Sequence, residues 1–226
     1  DGNVLGFDPY MVKTYDDDEL RELVAFHQID LRLKEENPFN PTTPKTTEEY
    51  LKLISENEEF GKIYDRFVNQ LKMQETYTEN GKPVKGIEAY LPRDIYECDK
   101  HHIAVANDIM KSREKLSKNG KFHAMLATKN IPEAIAYYRL FRKYHPSVNV
   151  VAVFDSNIDN SDGGIVREDA IKEMLTDYNA KYGTNYQLAN YAKYKKDVAK
   201  RLAHKKPYIG IENDHSQQID LLIVVT

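Results

Sequence analysis

A single cysteine, Cys98, in 226 residues excludes an internal disulfide. It also leaves no cysteine pair for a structural zinc site. One half-buried thiol fits a reducing compartment, and the expected location is cytoplasmic. No apolar run approaches the roughly 20 residues that cross a bilayer, and no leader is visible, so a membrane partner is not expected. Also missing are a Gly-x-x-x-x-Gly-Lys-Ser/Thr phosphate loop and a Gly-x-Gly-x-x-Gly fingerprint. His101 and His102 are adjacent, whereas helical metal pairs prefer a spacing of four. One is expected to face the core and the other solvent. No catalytic residue and no metal ligand is therefore assigned.

What is present is a globular composition, with 41% hydrophobic and 30% charged residues. The net charge of −4 hides an asymmetry. Residues 1–60 hold 15 acidic and 6 basic side chains, which leaves +5 on the remainder. A basic second half fits a polyanionic partner, and a solvated basic face explains it equally well.

The chain reads in two parts, 1–120 and 121–226. In the first, NVLGF and YMVKTY are expected as short strands. DDDELRELVAFHQIDLRL follows as a helix whose aspartates suit the positive end of the helix dipole. TTEEYLKLISEN opens with a capping box, Thr46 with Glu49. A further helix is expected from Glu58 to about Met73, then a turn-rich loop TENGKPVKG, then a long helix from about Arg93 to Lys118. This part is helix-rich and acidic.

In the second part, apolar runs alternate with amphipathic helices. FHAMLA is followed by a helix with Asn130 as N-cap, Pro132 in the first turn and Glu133 closing a capping box. Its apolar side is Ile131, Ile135, Tyr138 and Phe141. NVVAVF is followed by a helix that turns Val166, Ala170, Ile171, Met174 and Tyr178 inward and ends at Gly183. The basic helix YAKYKKDVAKRLAHKK then leads to IDLLIVV. Such alternation predicts an α/β fold with a parallel, doubly wound sheet, whose ligands meet the carboxyl ends of the strands. The chain stops on the apolar run IDLLIVVT, a core strand that would need cover on both faces, and begins at DGNVLGFDPY without an initiator Met, so both ends are read as cuts in a longer polypeptide.

Three motifs carry a possible chemistry. Asn157, Asp159, Ser161 and Glu168 fall at calcium-loop spacings, but Asp162 occupies the glycine position, and a polar connection is the stronger reading. In Thr128-Lys129-Asn130, a hydroxyl, a cation and helix N-terminal amides suit a phosphate oxygen; a simple N-cap beside a lysine suits the residues too. On the basic helix, Lys193, Lys196, Lys200 and Arg201 are countered only by Asp197. Clustered cations of this kind can hold phosphates, or form a solvated face.

FHAMLATKNIPEAIAYYRLFRKY, VAVFDSN, DYNAKYGTNY, YKKDVAKRL and IDLLIVV, in that order, resemble the second RecA-like motor domain of the R subunits of type I restriction enzymes. DGNVLGF resembles the junction after the first motor domain, and HHIAVANDIM the helix entering the second. The resemblance covers nearly the whole chain, most firmly from about Asp99. It implies an incomplete RecA-like sheet from the motor of a type I site-specific deoxyribonuclease. Such a parent carries a nuclease domain and two superfamily-two helicase domains and uses ATP and Mg. It translocates double-stranded DNA in complex with methylation and specificity subunits. In the family, the strand matching IDLLIVV runs on into a Gly-Phe-Asp motif and an arginine-bearing motif that reaches ATP. This chain alone is accordingly expected to bind no cofactor and to have no activity. The resemblance further implies DNA-backbone contacts at Thr128, Lys129 and Asn130, with Asp155, Ser156 and Asn157 on the same rim. The basic helix would add a surface or pack on another domain, such as the first motor domain. A different superfamily-two helicase, or a non-catalytic nucleic-acid-binding module, are the competing readings.

Overall fold

A computed structural model describes residues 12–39, 42–92, 94–118, 122–154, 164–211 and 214–225, with the backbone alone for 164–167. It divides into two units, Asp1–His101 and His102–Thr226.

In the first unit, Asp16 caps helix α1 (Asp17–Glu36). Its carboxylate accepts from Glu19 N at 2.9 Å, and Glu19 Oε2 accepts from Asp16 N at 3.1 Å, so the capping box is complete. Val24 and Ala25 of α1 are buried against Phe67 and Ile87. Helix α2 (Thr47–Glu56) is capped by Thr46 as expected, but Glu49 reaches back to Lys45 N at 2.6 Å rather than to Thr46 N. Helix α3 (Glu58–Asp65) does not continue to Met73. It widens into a π-turn over Arg66–Gln70, and Arg21 of α1 donates to the Val68 carbonyl at 3.3 Å and also to Phe67 and Leu71, satisfying the open carbonyls.

The expected loop 78–86 is largely a small hairpin. Strands β1 (Thr76–Tyr77) and β2 (Pro83–Val84) pair antiparallel around Asn80-Gly81, with Gly81 at φ 69°. Two-residue strands leave no periodicity to read. Gly86 is required by close packing, because a Cβ there would lie 2.4 Å from the backbone of Met73 and Gln74. No strand forms in Val12–Tyr15; the remainder of the two expected N-terminal strands lies outside the described residues.

Helix α4 (Asp99–Leu116) begins later than expected. Residues after Pro92 close single turns instead, through Ile95 N to Pro92 O and Glu97 N to Asp94 O. Cys98 is half-buried just before α4, 3.1 Å from the Tyr15 hydroxyl. His102 is buried and edge-on to Tyr137 at 4.8 Å, while His101 is half-buried with Nδ1 2.6 Å from Thr14 Oγ1.

The second unit has the predicted α/β architecture. Strands β3 (Ala124–Thr128), β4 (Val150–Val153) and β5 (Leu221–Val225) form a parallel sheet in the order β3-β5-β4. Ala124 pairs with Leu221, and Val150 with the same residue from the other side, so the last strand of the chain is the central one. Leu221, Leu222 and Ile223 are all buried, hence both faces of β5 are covered. Helix α5 (Ile131–Tyr144) buries Ile131, Ile135, Tyr138 and Phe141, and also Ala134 and Tyr137. Helix α6 (Gly164–Tyr182) buries Ala170, Ile171, Met174 and Tyr178; Val166 lies outside the described side chains. Gly183 ends α6 at φ 65°, a left-handed cap that favours glycine. Helix α7 (Tyr191–Leu202) buries Tyr191, Tyr194 and Val198. No helix among the described residues is long and apolar enough to cross a membrane.

Candidate functional site

The carboxyl ends of β3, β4 and β5 form one rim, because parallel strands in register finish together. Thr128 closes β3 there, but it is buried. Its hydroxyl donates to the Val224 carbonyl at 3.0 Å, clasping β3 to β5. Asn130 is the N-cap of α5, with its side-chain oxygen accepting from Glu133 N at 2.9 Å. Glu133 does not close the expected box onto Asn130; its Oε2 accepts from Lys129 N at 2.8 Å. Two amides that a bound anion could use are therefore held by the chain's own side chains. Pro132, in the first turn, has no N–H to offer. Of the predicted trio, Lys129 is the exposed one.

The other half of the predicted rim, Asp155, Ser156 and Asn157, lies outside the described residues, as do Asp159, Ser161 and Asp162 of the calcium-like spacing. The end of β4 leading to it is tightly held. The Tyr191 hydroxyl donates to Phe154 O at 3.1 Å and accepts from Phe154 N at 3.3 Å, and the Tyr194 hydroxyl donates to Ala152 O at 2.9 Å. Among the described residues, no group of three or more His, Cys, Asp and Glu is placed to hold a metal ion.

The basic helix separates into two populations. Lys193, Lys196 and Lys200 are exposed. Arg201, grouped with them as surface by sequence, is 2% exposed and belongs to the core. Its guanidinium carbon lies 3.9 Å from the Tyr182 ring centroid and 4.1 Å from that of Tyr208. Nε donates to the Tyr178 hydroxyl at 3.1 Å, and Nη1 donates to Gln217 O at 2.9 Å. The Tyr178 hydroxyl in turn donates to Asp197 at 2.7 Å, and the Tyr208 hydroxyl also donates to Asp197. Aromatic faces and polarised hydroxyls thus replace the water that Arg201 loses. Burial pushes the Tyr182 and Tyr208 hydroxyls up to about 12. The signal in sequence was an arginine falling on the same helical face as Tyr194 and Val198.

A second buried anchor also escaped sequence reasoning. Asp220, at the amino end of β5, is 5% exposed and paired with Arg113 of α4. Its other oxygen accepts from Asn149 N at 2.8 Å, fixing the start of β4 beside β5. An aspartate at the head of the apolar run IDLLIVV was the available clue.

Residues 120–226 match a family model described as type I restriction enzyme subunit R domain 3. Over 167 residues the chain is 24% identical to a type I restriction enzyme endonuclease subunit of Staphylococcus aureus strain MRSA252. It is 23% identical over the same length to the corresponding subunit of strain COL. Each alignment covers 70% of this chain and 17% of the relative, so the chain spans under a fifth of the relatives' length. The resemblance to type I restriction R subunits, drawn from the ordered segments of the second half, holds.

Proposed function

We propose, for a chain whose residues 120–226 carry the domain-3 signature of type I restriction R subunits, a role as part of an ATP-dependent DNA-translocating motor. The observation that carries this reading is the parallel sheet inside the matched segment, with its carboxyl-end rim presenting an exposed lysine, Lys129. In this role the second unit is one RecA-like lobe. Lys129 meets a phosphate as a point charge, Asn130 and Glu133 fix the loop that carries it, and Thr128 ties that loop to the central strand. Ser156 and Asn157 are assigned to the same rim.

ATP and Mg act in the longer parent polypeptide, between this lobe and the first motor domain, and nuclease chemistry lies elsewhere in that parent. Duplex DNA is the track. Methylation and specificity subunits are the assembly partners, in the cytoplasm. The chain by itself, which contains no phosphate-loop motif, hydrolyses no ATP.

The test is fluorescence anisotropy of a labelled duplex of random sequence. Lys129→Gln is expected to weaken binding uniformly across sequences and to lower the slope of log K against log salt by about 1. An unchanged slope removes Lys129 from the interface. Sustained ATP turnover by the purified chain would overturn the division of labour.

A further inference from the structure

We propose that the outer face of α7 is a second phosphate-tracking surface, separate from the strand-end rim, on which Lys193, Lys196 and Lys200 hold the backbone of a nucleic-acid duplex. The choice of duplex as the polyanion rests on the proposed function; the surface itself rests on three observations.

The first is pairing. Several cationic side chains on other helices meet carboxylates: Arg32 with Glu59 at 2.8 Å, Lys62 with Glu58 at 2.6 Å, Lys100 with Glu19 at 2.8 Å, and Arg139 with Glu173 at 2.7 Å, whereas Lys34, Lys111, Lys115 and Lys181 meet none among the described residues. Among the described residues, the side chains of Lys193, Lys196 and Lys200 are likewise in no ion pair or hydrogen bond, and here three such lysines share one face of one helix.

The second is the fate of Asp197. It is the one acidic residue of α7 and could have neutralised this face. It is turned inward instead, to the hydroxyls of Tyr178 and Tyr208. The helix therefore presents positive charge outward with nothing of opposite sign upon it.

The third is the helix dipole. A lysine in the last turn, such as Lys200, is favoured there. Lys193 stands in the first turn, where no acidic residue is present and the dipole opposes a cation. Helix stability does not account for a lysine in that position, whereas a phosphate partner does.

The spacing suits a nucleic-acid backbone. Positions 193, 196 and 200 fall within about 60° of one another around the axis and span about 10 Å along it. One strand of a duplex presents about three phosphates over that length. Lys205 and Lys206, both exposed, continue the charge just past the end of α7.

The experiment is a salt titration of duplex binding between about 50 and 200 mM by the full chain. It compares the wild type, the triple variant Lys193→Gln/Lys196→Gln/Lys200→Gln, Lys129→Gln, and a control, Lys52→Gln/Lys62→Gln, on helices whose lysines are already paired. The expected result is a salt slope lower by about 2 to 3 in the triple variant and unchanged in the control. Thermal melts establish that the triple variant folds; should it not, Lys196→Gln alone is expected to lower the slope by about 1. An unchanged slope in the folded variant, no duplex binding by the wild type, or tighter binding to polyglutamate than to duplex each overturns the proposal, the last in favour of an acidic protein surface. Loss in the triple variant with none in Lys129→Gln supports α7 and removes the rim; the reverse keeps the rim and removes α7.

Discussion

Helices α5 and α7 lie in the same unit and carry similar basic side chains, yet the two sets meet different fates. On α5, Arg139 forms a two-pronged contact with Glu173 at 2.7 and 3.0 Å, and Arg142 pairs with Asp177. Both carboxylates come from α6, so these cations knit two helices together. On α7, Lys193, Lys196 and Lys200 face outward with side chains in no ion pair among the described residues, and the one arginine sinks into a tyrosine cage. Charge count alone would treat the helices alike. What differs is where the neighbouring carboxylates point: Glu173 and Asp177 toward α5, Asp197 away from the α7 surface.

The largest effect that tests this contrast is at Arg201. Arg201→Leu is expected to destabilise the chain by about 2–4 kcal/mol, because it strips charged donors from Tyr178 and Gln217 and empties a desolvated cation–π stack. Equilibrium urea unfolding measures it. A loss below about 0.5 kcal/mol, the usual range for a surface site, would return Arg201 to the lysines.

Next comes alkaline unfolding. Burial raises the tyrosine hydroxyls of the cage, with Tyr182 and Tyr208 at about 12 against an ordinary 10. Between these values the unfolded chain releases protons that the folded chain retains. Stability is therefore full below about pH 10 and falls as the pH rises toward 12. The tyrosinate absorbance that is lost on Tyr182→Phe and Tyr208→Phe should appear together with the change in circular dichroism in that window. If that difference signal appears near pH 10 with the fold intact, the cage is open to solvent.

The smallest effect is on α5. Glu173→Gln removes a partly exposed pair and is expected to lower stability by about 0.5–1 kcal/mol, less at high salt. A loss comparable to that at Arg201 would erase the distinction between the helices.

The elements that were legible share a physical origin. Asn130, Pro132 and Glu133 marked the start of α5, and the spacing of Ile131, Ile135, Tyr138 and Phe141 marked its buried face, because a helix repeats its surface every three to four residues. The α/β class followed from apolar runs between such helices. The hairpin at Thr76–Val84 and the π-turn after Asp65 did not show, since two-residue strands leave no alternation to read and a π-turn carries on the apolar pattern of the helix before it. At the candidate site, Lys129 is exposed and Thr128 is buried, a split that the sequence reading of the trio did not draw. The inward turn of the Thr128 hydroxyl was not legible, because it depends on the Val224 carbonyl 96 residues away.

The sequence by itself determined the longer helices and the three strands of the second half, the parallel α/β class, and the resemblance to restriction R subunits, all of which rest on local order along the chain. Only the tertiary structure decided that β5 is the central strand, that Asp220 meets Arg113, and that Arg201 is core while Lys193, Lys196 and Lys200 are surface. Strand order, and the partner of a buried charge, are set by groups distant in sequence that burial brings together, and no local pattern encodes which of them will meet.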